Sequence, residues 1–310
     1  MPSMLQLVRQ YLTHRRKLGF ALSIQGQHLF GFARFADKIA PGQPLKTALA
    51  LQWATQPKTS CRGYLTSRLT AVRSFARYCA TIDPRFEVPT SGLLGPAYLR
   101  RIPHIYTAEE VALILRHARA LPLQRSPLHA HTYETMIGLI AAVGLRPSEA
   151  VRLRLVDFDP SAGWLRILPL KTSPERLLPL HPTVVHALQR YRQARQQTFP
   201  FGERLFVGRL GWPVQLHQLE YIFRQLARPI ESSGARPRLM DLRHTFATRL
   251  IAKWTRQKAP VAHRLLLLSR YLGHRHFIST WWYVSSDPEA LRSAAEQFRR
   301  FHHVSSRHDG

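Results

Sequence analysis

The stretch RLMDLRHTFATRL, residues 238–250, poses the question on which the second half of the chain depends. It reads as a loop that runs into a helix carrying Arg243 and His244. Met240 stands three residues before the arginine. An arginine in this setting is suited to binding an anion, yet a thioether is neither a useful hydrogen-bond donor nor a base. The meaning of the methionine therefore depends on the chemistry that the rest of the chain supports.

The composition is strongly basic. Lys and Arg number 45 against 18 Asp and Glu, which gives a net charge of +27 and a sequence pI of about 11.4. An excess of this size usually means a polyanionic partner, most often nucleic acid. Arginine far outnumbers lysine, which a GC-rich genome could also cause, but codon bias alone does not explain the shortage of acidic residues. We therefore expect a nucleic-acid-binding protein.

Several classes of protein are disfavoured by the motifs that the sequence lacks. Cys61 and Cys79 form no CxxC pair, and the 16 histidines follow no metal-ligand spacing, so we expect neither a metal site nor a cofactor. The first residues show no signal-peptide pattern, and the longest apolar run, residues 136–145, is too short to span a bilayer. We expect a soluble, cytoplasmic protein without membrane contact.

Residues 1–86 are predicted to form a helical domain. Its helices are predicted at 3–19, 22–38, 45–55 and 60–82. In the last of these, apolar residues recur at spacings of three and four and form one buried stripe. Three arginines fall largely off that stripe: Arg62, Arg68 and Arg73. They form either a set of DNA phosphate contacts or a solvated surface. Residues 87–104, rich in proline and glycine, are predicted to link this domain to the next.

Residues 105–310 are predicted to form a second, α+β domain, so the whole chain is mainly α with a small antiparallel β-sheet. Thr107 and Glu110 form a capping box at the start of a helix. The strand-like runs 164–170 and 176–180 flank KTSPE and predict a β-hairpin with Pro174 in its turn. Further helices are predicted at 131–145, 148–153, 183–197, 215–227, 242–255, 260–272 and 287–300.

Five motifs of this second domain resemble those of the tyrosine recombinase, or phage integrase, family. They are, in chain order, GLRPSE with Arg146, KTSPERLLPL with Lys171, MDLRHTFAT with Arg243, LGH with His274 and, nine residues past that histidine, Tyr283. The resemblance covers most of residues 105–290, and five motifs in order with near-family spacing are specific. The first domain is similar to the family's helical core-binding domain in size and helix content only.

The resemblance implies an enzyme that breaks and rejoins DNA strands without a metal ion or ATP. Tyr283 would attack a phosphodiester and leave a 3′-phosphotyrosyl link and a free 5′-hydroxyl. Arg146 and Arg243 would donate forks of hydrogen bonds to the nonbridging oxygens, on which charge grows in the transition state. His274 would hydrogen-bond the phosphate or position the tyrosine.

Lys171 is implied as the general acid that protonates the leaving 5′-oxygen. The residue types around it favour this role, because Lys171 is the only lysine between residues 59 and 252, where arginine supplies the other cations. A perturbed lysine can give up a proton near neutrality, whereas arginine effectively cannot. The alternative is a solvated charge on the hairpin.

Structural interpretations stay open for the other residues. Tyr283 could be a core aromatic that packs with the two tryptophans before it, and Arg146 could form a structural salt bridge with Glu149. His244 lies one residue past the arginine of its motif, so we expect it to point elsewhere on the helix and to be structural.

Met240 departs from the family pattern, in which this position is usually the histidine of an H-x-L-R box. That histidine is thought to hydrogen-bond the phosphate and to accept the proton of the tyrosine. Loss of one hydrogen bond to a charged group costs ~1.5–3 kcal/mol, or ~10- to 100-fold in rate. If proton transfer is also lost, ~10²–10⁴ is at stake. We expect an attenuated or partner-dependent enzyme, with His276 and Arg238 as candidate replacements.

Two further features concern assembly. The segment between Arg243 and His274 is longer than is usual in the family. With TWWYVS it resembles a transposase-like subset of tyrosine recombinases on mobile elements, where several recombinase genes can sit together. This resemblance implies that a sister recombinase could supply activity in a mixed synapse, whether the reaction is integration, excision or transposition. The helix predicted at 287–300 resembles one that docks on a neighbouring subunit, although it could instead pack on its own domain. The implied partners are double-stranded DNA and a homo- or hetero-tetramer, in the cytoplasm at the nucleoid.

Two rival functions remain. A type IB topoisomerase shares the chemistry but relaxes supercoils as a monomer. A catalytically impaired DNA-binding regulator, marked by Met240, would bind a site and never become covalently attached to it.

Overall fold

Helices dominate both halves of the chain, as the sequence predicts. The computed structural model describes residues 2–57, 60–95, 102–122, 126–169, 174–233, 236–257 and 261–285. The chain divides into two compact units, Met1–Arg101 and Ile102–Gly310. Within the described ranges, no helix combines the length and apolar character needed to cross a membrane.

The described part of the first unit is built from helices. They are α1 (Met4–Lys17), α2 (Ser23–Ile39), α3 (Thr47–Thr55) and α4 (Arg62–Ala80). Ser3 caps α1 because its hydroxyl accepts from the Gln6 amide at 3.2 Å, while the Gln6 side chain accepts from the Ser3 amide. The apolar stripe predicted on α4 is buried, with Leu69 and Val72 fully inside the core. Burial of this stripe against α1, α2 and α3 holds the unit together.

The segment after α4 returns to the same core. The Glu87 carboxylate accepts from the Thr47 amide at 2.9 Å and lies 3.0 Å from the Lys46 ammonium. The Arg73 Nε donates to the Pro89 carbonyl at 3.0 Å. The first residues of the predicted linker therefore contact the first unit and fix its last helix to α3.

The elements of the second unit pack around a central apolar helix, α6 (His129–Val143). The helices of this unit are α5 (Ala108–Arg119), α6, α7 (Pro147–Ala150), α8 (Pro182–Thr198), α9 (Leu216–Leu226), α10 (Leu239–Arg256), α11 (Val261–Leu272) and α12 (Ile278–Ser285). The capping box at the start of α5 is confirmed, since Thr107 Oγ1 accepts from the Glu110 amide at 3.2 Å and Glu110 accepts from the Thr107 amide at 2.8 Å. Met136, Ile137 and Ile140 of α6 are fully buried in the main core.

A small antiparallel sheet lies at one edge of this unit. Its strands are β1 (Phe158–Asp159), β2 (Trp164–Ile167) and β3 (Arg176–Pro179), in the order β1-β2-β3. In the register of the predicted hairpin, Trp164 lies opposite Pro179 and Ile167 opposite Arg176. Strand β1 was not predicted. Lys171 and the helix predicted at 287–300 lie outside the described residues.

A separate apolar cluster joins α10, α11 and α12. It contains Ala247, Ile251, Leu265, Leu268, Leu272 and Tyr283. Because these helices carry three of the five resembling motifs, their packing determines where the candidate site forms.

Candidate active site

The helix that bears Arg243 begins with an ion-paired cap. The Asp241 carboxylate accepts from the Arg238 amide at 3.0 Å and from the Arg238 guanidinium at 2.8 Å. A carboxylate in the first turn also complements the positive end of the helix dipole. This start leaves Met240 in the first turn, 38% exposed, and places Arg243 one turn further along, only 2% exposed. Arg238, one of the candidate replacements for the missing histidine, is thus engaged in capping α10.

Arg243 is held by the main chain around it. Its Nη1 donates to the Gly144 carbonyl at 2.9 Å, and its Nη2 donates to the Leu272 carbonyl at 2.6 Å. Burial, followed by repulsion from Arg146, lowers the pKa of Arg243 to about 10, so the guanidinium stays charged at neutral pH.

Arg146 reaches the same turn from the other side. Gly144 ends α6 in the left-handed conformation at φ 67°, and a Cβ there would lie 2.5 Å from the Phe246 ring, which accounts for the glycine. The chain turns sharply, so that Arg146 becomes the N-cap of α7. Its Nη1 donates to the Leu272 carbonyl at 3.3 Å and its Nη2 to the Gly273 carbonyl at 3.1 Å. The Leu272 carbonyl therefore accepts hydrogen bonds from both arginines.

Glu149 is the buried counter-charge of the site. Its side chain is 1% exposed and accepts from the Arg146 amide at 3.0 Å and the Arg146 Nη1 at 2.9 Å. The Glu149 carboxylate also accepts hydrogen bonds from both terminal nitrogens of Arg176, at 3.0 and 2.8 Å, and lies 3.9 Å from Arg243 Nη1. Burial would raise the pKa of this carboxyl, but the hydrogen bond and charge of Arg176 and the Arg146 amide hold it below its usual value. The salt bridge considered as an alternative for Arg146 thus exists, within a larger network.

Arg176 was missed by sequence reasoning. It stands on β3, is 7% exposed, and its Nε donates to the Tyr271 carbonyl at 2.7 Å. One side chain therefore connects the hairpin to α7 and to the end of α11. The available signal was the two-residue alternation of the strand, which places Arg176 on the same inward face as Leu178.

His274 is a neutral imidazole of defined tautomer. A guanidinium can only donate, so the 3.1 Å contact between Arg243 Nη2 and His274 Nε2 makes this nitrogen an acceptor. The proton then resides on Nδ1, which donates to Thr280 Oγ1 at 2.7 Å. Burial, followed by the charges of Arg243 and Arg146, lowers the pKa of His274 to about 3. Thr280, which is fully buried, is the second residue that sequence reasoning missed.

Tyr283 lies against both histidines of the motifs. It is 3% exposed in the cluster of α10, α11 and α12. Its ring stacks on His274 with centroids 5.9 Å apart, and lies 5.3 Å from the His244 ring at 54°. His244, expected to point elsewhere on the helix than Arg243, contacts Tyr283 as well, because α12 packs against α10. The alternative that Tyr283 packs in the core together with the tryptophans before it does not fit Trp281, which is 48% exposed.

The three arginines predicted on the basic face of α4 differ in their surroundings. Arg62 is exposed and Arg73 is partly buried. The expectation that Arg68 lies on an exposed face is wrong: it is 9% exposed, its guanidinium lies 3.8 Å from the Trp53 ring centroid, and its Nη2 donates to the Trp53 carbonyl at 2.7 Å. An arginine next to the apolar stripe can bury its stem and stack on an aromatic ring.

The structure therefore brings Arg146, Arg243, His274 and Tyr283 together, while Lys171 lies outside the described residues. Two adjacent guanidiniums beside a phenol are suited to a phosphate oxyanion and a nucleophile. Within the described residues, no group of three or more His, Cys, Asp or Glu side chains is arranged to hold a metal ion.

Known proteins resemble this chain in sequence and in fold. Residues 105–290 match the model of the phage integrase family. The integrase/recombinase y4rB of Sinorhizobium fredii is 35% identical over 95% of this chain and 96% of its own. The tyrosine recombinase XerD of Staphylococcus saprophyticus is 25% identical over 77% of this chain and 80% of its own.

Among solved structures, the Tn1549 transposon integrase in complex with transposon right end DNA has a similar fold. Its TM-score is 0.71 at 18% identity, over 96% of this chain and 99% of that one. The extent of the family match and the identity to y4rB lead to one conclusion: the chain belongs to the phage integrase family of tyrosine recombinases.

Proposed function

We propose that this protein is a site-specific recombinase that cuts a strand of double-stranded DNA with Tyr283 and rejoins it to another. The observation that carries the proposal is the shared acceptor of the two arginines. Arg146 and Arg243 both donate to the Leu272 carbonyl, at 3.3 and 2.6 Å, so their guanidiniums lie side by side. His274 and Tyr283 border the pair.

In the proposed cleavage, the Tyr283 phenol oxygen bonds to phosphorus as its proton leaves. The bond from phosphorus to the 5′-oxygen then breaks, and that oxygen takes a proton from Lys171, which is assigned by its position in the sequence. The phosphotyrosyl bond retains the energy of the phosphodiester, so a 5′-hydroxyl can reverse the reaction without ATP.

The arginines supply fixed positive charge where the transition state becomes more negative. Both are anchored before DNA arrives, and Arg243 is almost completely buried. Anchored donors need little reorganisation during the reaction, and loss of one such donor typically costs ~10²–10³ in rate. His274 contributes by orienting Arg243 and the tyrosine, because both of its ring nitrogens are engaged.

The charge and the relatives support double-stranded DNA as the partner. With a net charge of +27, the chain is suited to a polyanion, and exposed Arg62 is a candidate phosphate contact in the first unit. The likeness to an integrase described with transposon DNA supports mobile-element ends as the substrate. We propose a homo- or hetero-tetramer with sister recombinases on that DNA, in the cytoplasm at the nucleoid, where the bacterial DNA lies.

Met240 favours a second candidate, an attenuated subunit that depends on a partner. It is 38% exposed in the first turn of α10, one turn before Arg243, where a side chain can approach the same phosphate. A thioether there contributes neither a strong hydrogen bond nor a proton acceptor.

Covalent trapping tests the proposal. The protein is incubated with DNA from the ends of its own element, nicked so that the released strand diffuses away, and adducts that survive SDS are separated. We expect an adduct with the unmodified protein and with Tyr221→Phe, which changes an exposed tyrosine of α9, and none with Tyr283→Phe. Specific binding without any adduct would instead support the partner-dependent subunit. Relaxation of plasmid that lacks the element ends would indicate topoisomerase activity.

A further inference from the structure

The proposed cleavage needs an acceptor for the phenolic proton. The tyrosine hydroxyl carries a proton, which must leave the phenol oxygen of Tyr283 as that oxygen bonds to phosphorus. Met240 is chemically unable to serve. The proton acceptor is therefore another group near the phenol.

His274 contacts the phenol ring but is already engaged. Its Nε2 lone pair accepts from Arg243, and its Nδ1–H donates to Thr280. Protonation at Nε2 would also place a cation 3.1 Å from a guanidinium nitrogen, in a site crowded by Arg146. These contacts suit a positioning role and oppose proton uptake.

The candidates from the sequence are also unfavourable. The Arg238 guanidinium donates twice to Asp241, and guanidiniums do not accept protons. His276 is exposed and lies on the turn before α12.

His244 is an imidazole in direct ring contact with Tyr283. It follows Arg243 on α10, is partly buried, and its ring centroid lies 5.3 Å from that of Tyr283. In the described part of the chain, the imidazole rings of His244 and His274 both contact the ring of Tyr283. A neutral imidazole has one nitrogen that can accept a proton and one N–H, so the group can take a proton and return it.

We propose that His244 accepts the proton of Tyr283 during cleavage and returns it during rejoining, in place of the histidine that Met240 replaces. The inference rests on the proposed function. As the phenol oxygen bonds to phosphorus, its O–H bond breaks and the proton passes to an imidazole nitrogen of His244. In the reverse step the imidazolium protonates the departing phenolate, and the 5′-hydroxyl proton returns to the group that supplied it.

The first measurement is the single-turnover rate of adduct formation on nicked DNA. We expect His244→Gln to lower this rate by ~10²–10⁴, the usual contribution of general base catalysis. His186→Gln, which changes an exposed histidine of α8, serves as the matched control and should cleave at the unmodified rate. An equal rate for His244→Gln, or a comparable loss in His276→Gln alone, would overturn the proposal.

A second measurement separates proton transfer from packing. A fluorinated tyrosine of lower pKa is placed at position 283 in the unmodified and His244→Gln backgrounds. A more acidic phenol depends less on a base, so the defect of the variant should shrink at least ~10-fold. A purely structural defect would keep its full size and would refute the role. If His244→Gln does not fold, His244→Asn undergoes the same pair of measurements.

The result is distinguishable from failure of the proposed function. If the unmodified protein forms no adduct that depends on Tyr283, the recombinase proposal itself fails. If it forms that adduct as fast as His244→Gln does, only the role of His244 is lost.

Discussion

Replacement of Glu149 by glutamine should destabilise the second unit strongly, although it conserves the shape of the side chain. Glu149 is 1% exposed on its side chain, and it is the carboxylate on which Arg146 and Arg176 converge. Glutamine keeps the shape but loses the charge, and its amide group would direct donors at guanidiniums that cannot accept.

The magnitude follows from the cations left behind. Arg176 is 7% exposed and Arg243 2% exposed, so neither can recover its hydration when the counter-charge is removed. Removal of one partner from a buried ion pair typically costs ~3–5 kcal/mol. For a unit of this size each kcal/mol shifts the midpoint of thermal unfolding by roughly 2–4 °C, so a fall of about 6–20 °C is expected.

Urea unfolding followed by tryptophan fluorescence measures this loss, because of the six tryptophans only Trp53 belongs to the first unit. Glu175→Gln, which changes the residue before Arg176 on the hairpin, is the matched control. Its ion pair with Arg166, at 2.7 Å, joins side chains that are 45% and 52% exposed, and a surface pair of this kind contributes ~0–1 kcal/mol. If the two variants lose the same free energy of unfolding, the reasoning about a buried counter-charge is refuted.

Four further outcomes are expected. Met240→His should raise the single-turnover cleavage rate ~10- to 100-fold, and an unchanged rate would show that the methionine does not attenuate the enzyme. The pKa of His274 falls from an ordinary value of 6.5 to about 3 in the folded protein, so the folded state binds fewer protons than the unfolded state between these values. The free energy of unfolding should therefore be full above pH 6.5 and decline as the pH falls. In urea unfolding at pH 7.5 and pH 5, the variant His274→Gln should lose less of this free energy than the unmodified protein. Arg68→Ala should lower the free energy of unfolding of the first unit by about 1–3 kcal/mol, because the stacking on Trp53 and one hydrogen bond are lost. Hydrogen exchange in urea would show this as a lower midpoint for that unit. A loss of DNA affinity without a loss of stability would contradict the structural role of Arg68. Gly144→Ala should cost ~1–3 kcal/mol, because alanine is strained at φ 67° and its Cβ meets Phe246; calorimetry would refute this if the midpoint rises.

Local signals account for the parts of the fold that the sequence predicted. The capping box at Thr107 and Glu110 satisfies helix-start amides within a few residues, so it is legible without knowledge of the tertiary structure. The hairpin register follows from alternation on β2 and β3. Strand β1 was not predicted because its two residues, Phe158 and Asp159, are too few to show an alternating pattern.

The interior of the candidate site was less predictable because it is assembled from distant segments. Arg146 and Arg243 could be singled out from their motifs, but their common acceptor at Leu272 arises only when α7 and α10 meet the end of α11. The same holds for Arg176, whose fork on Glu149 joins residues 27 apart in sequence. Helix periodicity also failed at Arg68, because an aromatic ring on a neighbouring helix can draw a guanidinium inward.

The anchoring of the two arginines has a consequence for mutational tolerance. Their main acceptors are the carbonyl oxygens of Gly144, Leu272 and Gly273, which belong to the main chain. Every amino acid provides the same carbonyl, so a substitution at Leu272 that preserves the backbone leaves the anchor in place. Glu149 has no such redundancy, since its contribution lies in the side chain. Substitutions around the site can therefore leave both arginines anchored, provided that they preserve the backbone and the Glu149 carboxylate.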